Sequence, residues 1–376
     1  MRYHHKLVVL LTALLLSISI NASAAAINTE KHLIDYETLV EGLYKPWSVA
    51  FLPDGGMLIT EKRGTLRYVN RQGELEAKPI TGLPRIREHG QGGLLDVVLH
   101  PDFKHNRWVY FSYAEPDGGT YGTTVARGKL QGRHLEQLQT IFRMSRKTPT
   151  RNHFGSRLVF DRQGQLYITL GDRGDRPRAQ DLSDHAGSVI RINDDGSVPP
   201  QNPFIGQGDK LAEIYSYGHR NIQGAALHPE SGKLWTHEHG PQGGDELNIP
   251  DPGANHGWPV ITYGVNYVIG TKIGEGTHKP GMVQPIHYWV PSIGPSGMTF
   301  YTGEKFKHWK HNLFIGSLKF NQLVRLELDG ETVTREERLV SDEFGRIRDV
   351  RQGPDGLIYL LVDANNGKLI RLFPKP

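Results

Sequence analysis

The 376-residue chain contains no cysteine. Disulfides, thiolate zinc sites, a cysteine nucleophile and c-type haem attachment are thereby excluded, and a fold of this length can bury enough core without such staples. Also missing are a G-x-G-x-x-G after a strand, a G-x-x-x-x-G-K-[ST] and a G-x-S-x-G. A nicotinamide-binding Rossmann domain, P-loop hydrolysis and the usual serine-hydrolase elbow are therefore disfavoured. Charge of one sign is scarce: the formal net charge is only +4, which argues against nucleic acid as the main partner.

Only the N-terminus carries a long apolar run. Arg2, His4, His5 and Lys6 precede the stretch Leu7 to Ile20, and small residues follow from Asn21 to Ala26. A charged start, a short apolar core and small-residue cleavage options read as a secretory signal peptide over residues 1–24, with cleavage as late as Ala26 as the other choice. The run is short for a membrane span of ~20 residues. Loss of Arg2 and Lys6 takes the formal charge from +4 to +2. The expected product is an exported, periplasmic protein without stable membrane insertion, a monomer, forming a single domain over residues 27–376.

After that leader, sustained 3.6-residue apolar periodicity is absent, while Gly (44) and Pro (23) are spread throughout. Strands joined by loops are the natural reading. One phrase recurs: an apolar strand, a turn rich in Pro, Asp or Gly, and a second apolar strand. It starts at Pro46, Gly92, Gly155, Asn221, Gly294 and Ile347. Six copies at intervals of roughly 50 to 70 residues predict an all-β repeat fold, a β-propeller in which each copy supplies a blade's inner hairpin. A β-sandwich accounts less well for six similar turns. The interval lengthens between Gly155 and Gly294, so insertions and functional loops are expected there.

That stretch contains YGHRNIQG and EHGPQGGDELN. An Arg-Asn pair suits the oxygens of an anionic ligand, and turn carbonyls beside carboxylates suit a hard cation such as calcium. His237 and His239 share a face, but two histidines without a third ligand make weak zinc chemistry, and Gly240-Pro241 favours carbonyl coordination. His153, just before one strand of the third repeat, and Asp172, just after its hairpin partner, return to the same end of the sheet. A carboxylate on one imidazole nitrogen fixes the tautomer and raises basicity at the other, as a general base requires; the plainer alternative is a structural hydrogen bond. Arg346 and Arg348 share one side of an extended segment. With Arg220 and Lys319 they could gather at the axis around a multiply anionic ligand, the plainer alternative being a solvated sheet edge. Gln91 lies among glycines that permit close approach to a ligand or simply make a turn.

The set HGQGGLLDVVLHPDF, NHFGSRLVF, LGDRGD, YGHRNIQG, EHGPQGGDELN, SLK and RIRD resembles the soluble pyrroloquinoline quinone (PQQ)-dependent glucose and aldose sugar dehydrogenases, the glucose/sorbosone dehydrogenase family, from about Tyr44 to Phe373. The resemblance implies a six-bladed β-propeller with PQQ, an ortho-quinone tricarboxylate, on one face near the axis. It implies that Gln91, Arg220, Asn221, Lys319, Arg346 and Arg348 bind PQQ. The Gly240 and Pro241 carbonyls would hold a calcium ion (Ca2+) touching it, and Glu246 with the backbone of His256 a second, structural calcium. His153 would be the general base and Asp172 its partner. The base would take the anomeric proton of an aldose while hydride passes from C1 to the quinone, giving an aldonolactone. Electrons would then leave for an external acceptor, since no cysteine is present to attach a haem.

Ile347 stands where some relatives carry an aromatic residue, and the sugar-covering loops look shortened, which leaves sugar identity open. Trp289 is either a sugar-facing wall or a packing residue. Two other classes compete. A calcium-dependent propeller lactonase needs carboxylate and Asn ligands converging on the axis, and a non-catalytic ligand-binding propeller needs no His-Asp pair beside the cations.

Overall fold

The computed structural model describes residues 26–375, so the expected signal peptide, apart from its late cleavage point at Ala26, lies outside the described residues. Six antiparallel sheets follow one another along the chain. Their innermost strands are Pro46–Phe51, Leu94–Leu99, Leu158–Phe160, Ile222–Leu227, Pro295–Phe300 and Ile347–Gln352, and each contacts its neighbours so that the ring closes from the sixth back to the first. This is a six-bladed β-propeller, as expected, and the blades coincide with the six repeats. Blades two to five have four strands each, and the first has three. The sixth is completed from the other end of the chain: Leu33–Leu43 pairs antiparallel with the last strand, Gly367–Pro374.

The turn within each inner hairpin needs a residue in the left-handed region, where glycine adds no steric cost. Gly55, Gly164, Gly232 and Gly356 occupy it at φ of 90°, 82°, 70° and 76°, while Arg107 and His311 take the place in the second and fifth blades at 62° and 65°. Blades pack face against face, so their middle strands are covered on both sides and read as continuous apolar runs, as in IYLLV (Ile358–Val362), all buried. The core is accordingly divided into wedges. Leu58 and Leu66 of the first blade pack with Val97 and Phe111 of the second, Phe314 and Leu323 of the fifth with Val350 and Leu360 of the sixth, and Val49 and Ile59 of the first with Leu361 and Leu369 of the sixth.

The insertions lie where the lengthened interval placed them. Between Asp245–Asn248 and His287–Trp289 the fourth blade carries an excursion without a strand of its own. Among the described residues no helix is long and apolar enough to cross a membrane.

Candidate active site

Residues that open an inner strand or follow the second strand of a blade return to the same end of the ring. Lys62 follows Met57–Glu61, Lys319 follows Leu313–Ser317 and Asp363 follows Ile358–Val362; Arg346 immediately precedes Ile347–Gln352. These four, with Gln91, Gln223 and Arg348, line a cavity of about 500 Å³ at the axis. A contiguous cavity of about 300 Å³ shares Gln91, His239 and Lys319 and adds His153, Arg220, Gly240 and Pro241.

His153 Nδ1 lies 2.5 Å from Asp172 Oδ1, and among the described residues that is the ring's only hydrogen bond. Its backbone N–H donates to Gln91 Oε1 at 2.7 Å, fixing a residue held at φ 56°. Asp172 is itself held: Trp258 Nε1 donates to its Oδ2 at 2.8 Å and the Gly174 N–H to its Oδ1 at 2.7 Å. Burial is the largest influence on His153 and pulls its pKa down; the Asp172 bond opposes this without reversing it, and Arg220 adds to the lowering. Burial alone would raise the Asp172 carboxyl, but His153, Arg220 and the Gly174 N–H outweigh it. The outcome is a neutral imidazole oriented by an ionised carboxylate.

The cations are incompletely matched. Arg346 and Arg348 both reach Asp363, at 3.4 and 3.3 Å, and hold its carboxyl below the ordinary range against the effect of burial. Among the described residues the buried Arg348 Nε has no partner. Lys319 is exposed, and burial lowers Lys62 below the usual ammonium range. Arg220 Nη1 donates to the carbonyls of His239 and Gly240 at 2.9 and 2.7 Å, which ties this arginine to the turn on the other side of the site.

The profile of the family described as Glucose / Sorbosone dehydrogenase matches residues 43–371. The chain belongs to that family. Aldose sugar dehydrogenase YliI of Escherichia coli K12 is 47% identical over 348 residues, spanning 91% of this chain and 93% of its own. Among solved structures, the apo form of the soluble aldose sugar dehydrogenase from Escherichia coli matches with TM-score 0.88 at 46% identity, over 91% of this chain and all of the other. The PQQ-bound form of aldose sugar dehydrogenase from Streptomyces coelicolor matches with TM-score 0.74 at 26% identity, over 90% and 98%. The expected membership in the glucose/sorbosone dehydrogenase family is met.

Within this family member, most of the expected residues meet: Gln91, His153, Arg220, Gly240, Pro241, Lys319, Arg346 and Arg348 line the joined cavities, with Asp172 directly behind His153. Asn221 does not line them. It is buried, and its Oδ1 accepts from the Gly155 N–H at 3.2 Å, bracing the strand beside the site. Glu246 and His256 lie elsewhere in the fourth blade's environment. Glu246 stands opposite Glu238 across the strand pair, and burial together with that like charge pushes its carboxyl well above the ordinary range. Glu238 accepts from His219 Nδ1 at 2.9 Å, and His256 stacks on His219 with ring centroids 4.4 Å apart. Among the described residues the His256 carbonyl accepts no hydrogen bond. Trp289 is a packing residue: it is buried, and its Nε1 donates to Glu336 at 2.8 Å.

Sequence reasoning missed Lys62, Gln223, Trp258 and Asp363. Lys62 and Asp363 follow a second strand at the place where Asp172 and Lys319 also lie, so aligning the six repeats by that strand's end would have found them. Trp258 had no such signal, because the insertion that carries it belongs to no repeat.

Proposed function

We propose that this protein oxidises aldose sugars at C1 to aldonolactones, using PQQ with calcium and passing electrons to an external acceptor. The observation that carries the reading is an oriented, neutral His153 opening onto a cavity whose cations exceed its carboxylates. The cavity fits a small polyanion: among the described residues the buried Nε of Arg348 and the exposed Lys319 have no internal acceptor, and Arg346 and Arg348 share the single carboxylate of Asp363. Gln91, Arg220, Lys319, Arg346 and Arg348 would hold PQQ, with Asn221 acting through the strand it braces.

The Gly240 turn fits a hard cation. A Cβ at Gly240 would lie 2.3 and 2.2 Å from the carbonyl oxygens of Gly243 and Gly244, so oxygens converge there. Each carbonyl has two lone pairs, so the bond from Arg220 leaves one on Gly240. Pro241 would contribute its own carbonyl. Glu246 and the His256 carbonyl would hold a second calcium, which would relieve the repulsion between Glu246 and Glu238.

Bound PQQ supplies a two-electron acceptor for hydride, and calcium a Lewis acid beside it. His153 Nε2 accepts the proton of the anomeric hydroxyl. Asp172 keeps Nδ1 protonated and stabilises the imidazolium that forms, while Trp258 and Gly174 keep Asp172 in place. We further propose that the protein acts in the periplasm as a monomer, after removal of the leader read over residues 1–24. A lactonase reading is less well supported, because the axial carboxylates Asp96 and Asp349 are engaged by Arg157 and Arg351.

The test is dye reduction by purified protein given PQQ, calcium and a panel of aldoses. Turnover is expected with wild type. His153→Ala is expected to keep PQQ affinity and lose turnover by about 10²–10⁴-fold. Background activity with every aldose would overturn the proposal, and equal loss of binding and turnover would make His153 structural.

A further inference from the structure

The insertion in the fourth blade sends one tip to the mouth of the site. Val265 exchanges backbone hydrogen bonds with Gln242, both at 3.1 Å, which fastens the tip's base to the turn that follows Gly240 and Pro241. Asn266 Oδ1 accepts from Arg176 Nη2 at 2.9 Å, and Arg176 lies over Trp258, the same indole that donates to Asp172. The base of the tip is therefore tied to both halves of the catalytic surroundings.

Beyond that base the chain does two costly things. Tyr267, Val268 and Ile269 are 57%, 98% and 72% exposed, a run of apolar surface in water. Val268 sits at φ 70°, and the Ile269 N–H donates to the Tyr267 carbonyl at 2.8 Å, closing a three-residue turn about a left-handed centre. That turn form is rare and strained, more so for a β-branched residue. Backbone strain at a functional site persists where surrounding bonds over-determine it, as those of Val265 and Asn266 do here. Of the three tip residues, Tyr267 lines the cavity that also contains His153, Arg220 and Gly240.

Resting on the proposed sugar oxidation, we infer that Tyr267 is a specificity-determining residue: its ring is the platform on which the apolar C–H face of the aldose lies while the anomeric hydroxyl meets His153. A pyranose offers polar edges and an apolar face, and an aromatic ring that lines the same cavity as Arg220 and Lys319 matches the second of these. The strained turn sets where that ring stands, and the exposed Tyr267 ring is covered when sugar binds.

Tyr267→Ala is expected to raise KM for glucose about tenfold with kcat within about twofold, and Tyr267→Phe to behave as wild type, since the ring and not the hydroxyl acts. Leu138→Ser, altering an exposed apolar residue on the outer strand of the second blade, is expected to change neither. Binding is read separately by calorimetry of glucose with the PQQ-loaded His153→Ala protein, where adding Tyr267→Ala should weaken the dissociation constant by about the same tenfold factor. Unchanged KM and dissociation constant would overturn the inference. So would an equal loss of PQQ affinity, which would make Tyr267 a cofactor contact. A wild type inactive on all aldoses, with glucose binding still dependent on Tyr267, would sink the proposed reaction and leave the platform standing.

Discussion

Arg157 and Arg348 lie against the same indole, 4.1 and 5.9 Å from the ring of Trp47, yet their electrostatic settings are opposite. Arg157 is buried and pairs with Asp349 at 2.9 Å and Asp96 at 3.4 Å, and Arg351 closes the box with 3.0 and 2.9 Å contacts to the same two carboxylates. Cations and carboxylates match in number, and Arg157 Nε spends its remaining capacity on the Gln223 carbonyl at 2.8 Å. Arg348 shares Asp363 with Arg346 and keeps a buried Nε that has no partner among the described residues. Buried charges that balance internally hold blades together, whereas a surplus of one sign is completed by a ligand.

Breaking the balanced box should have the largest effect. Arg157→Ala leaves Asp96 and Asp349 short of a cation in the interior, and about 3–5 kcal/mol of stability is expected to be lost, read as a fall in denaturation midpoint. Arg348→Ala should do the reverse. It is expected to weaken PQQ binding at least about tenfold, the value of one lost charge-assisted bond, while moving the midpoint far less than Arg157→Ala does. Comparable stability losses in the two variants would erase the distinction between box and surplus.

The smallest expected effect sharpens the contrast at the catalytic pair. His153 must be neutral to accept a proton and its pKa is lowered by burial, so the acid limb of kcat/KM should lie below the ordinary imidazole value of 6.5. Activity is lost as pH falls through the lowered pKa. Asp172 is the influence that raises His153, so Asp172→Asn should move the limb to still lower pH while kcat drops. A limb moving upward would show that Asp172 does not set the charge on the ring.

The two arginines also mark how far the sequence could be read. The six repeats, their turns and the strand-end positions of His153, Asp172, Arg220, Lys319 and Arg346 were legible, because hairpin periodicity is local and fixes which residues return to one end of a sheet. Nothing local separates Arg157 in GSRLVF from Arg348 in RIRD; both stand near the start of an inner strand. Their roles depend on carboxylates from other blades, which only the closed ring brings in. The recess of Asn221 behind the wall was hidden for a related reason: it follows from the approach of Gly155 on the neighbouring blade. Tyr267 stood out in no pattern, because the insertion that presents it is outside the repeat.

The pairing of Leu33–Leu43 with Gly367–Pro374 bears on the order of events as well as on shape. Leu33–Leu43 precedes the inner strands of all six blades in the sequence, and its partner follows them. Blades one to five can form from neighbouring segments, but the axial cavity takes Arg346 and Arg348 from the sixth blade and so cannot be completed in advance. Cofactor capture thereby depends on ring closure, and a chain cut before Gly367 is expected to forfeit the site although His153 and Asp172 are present.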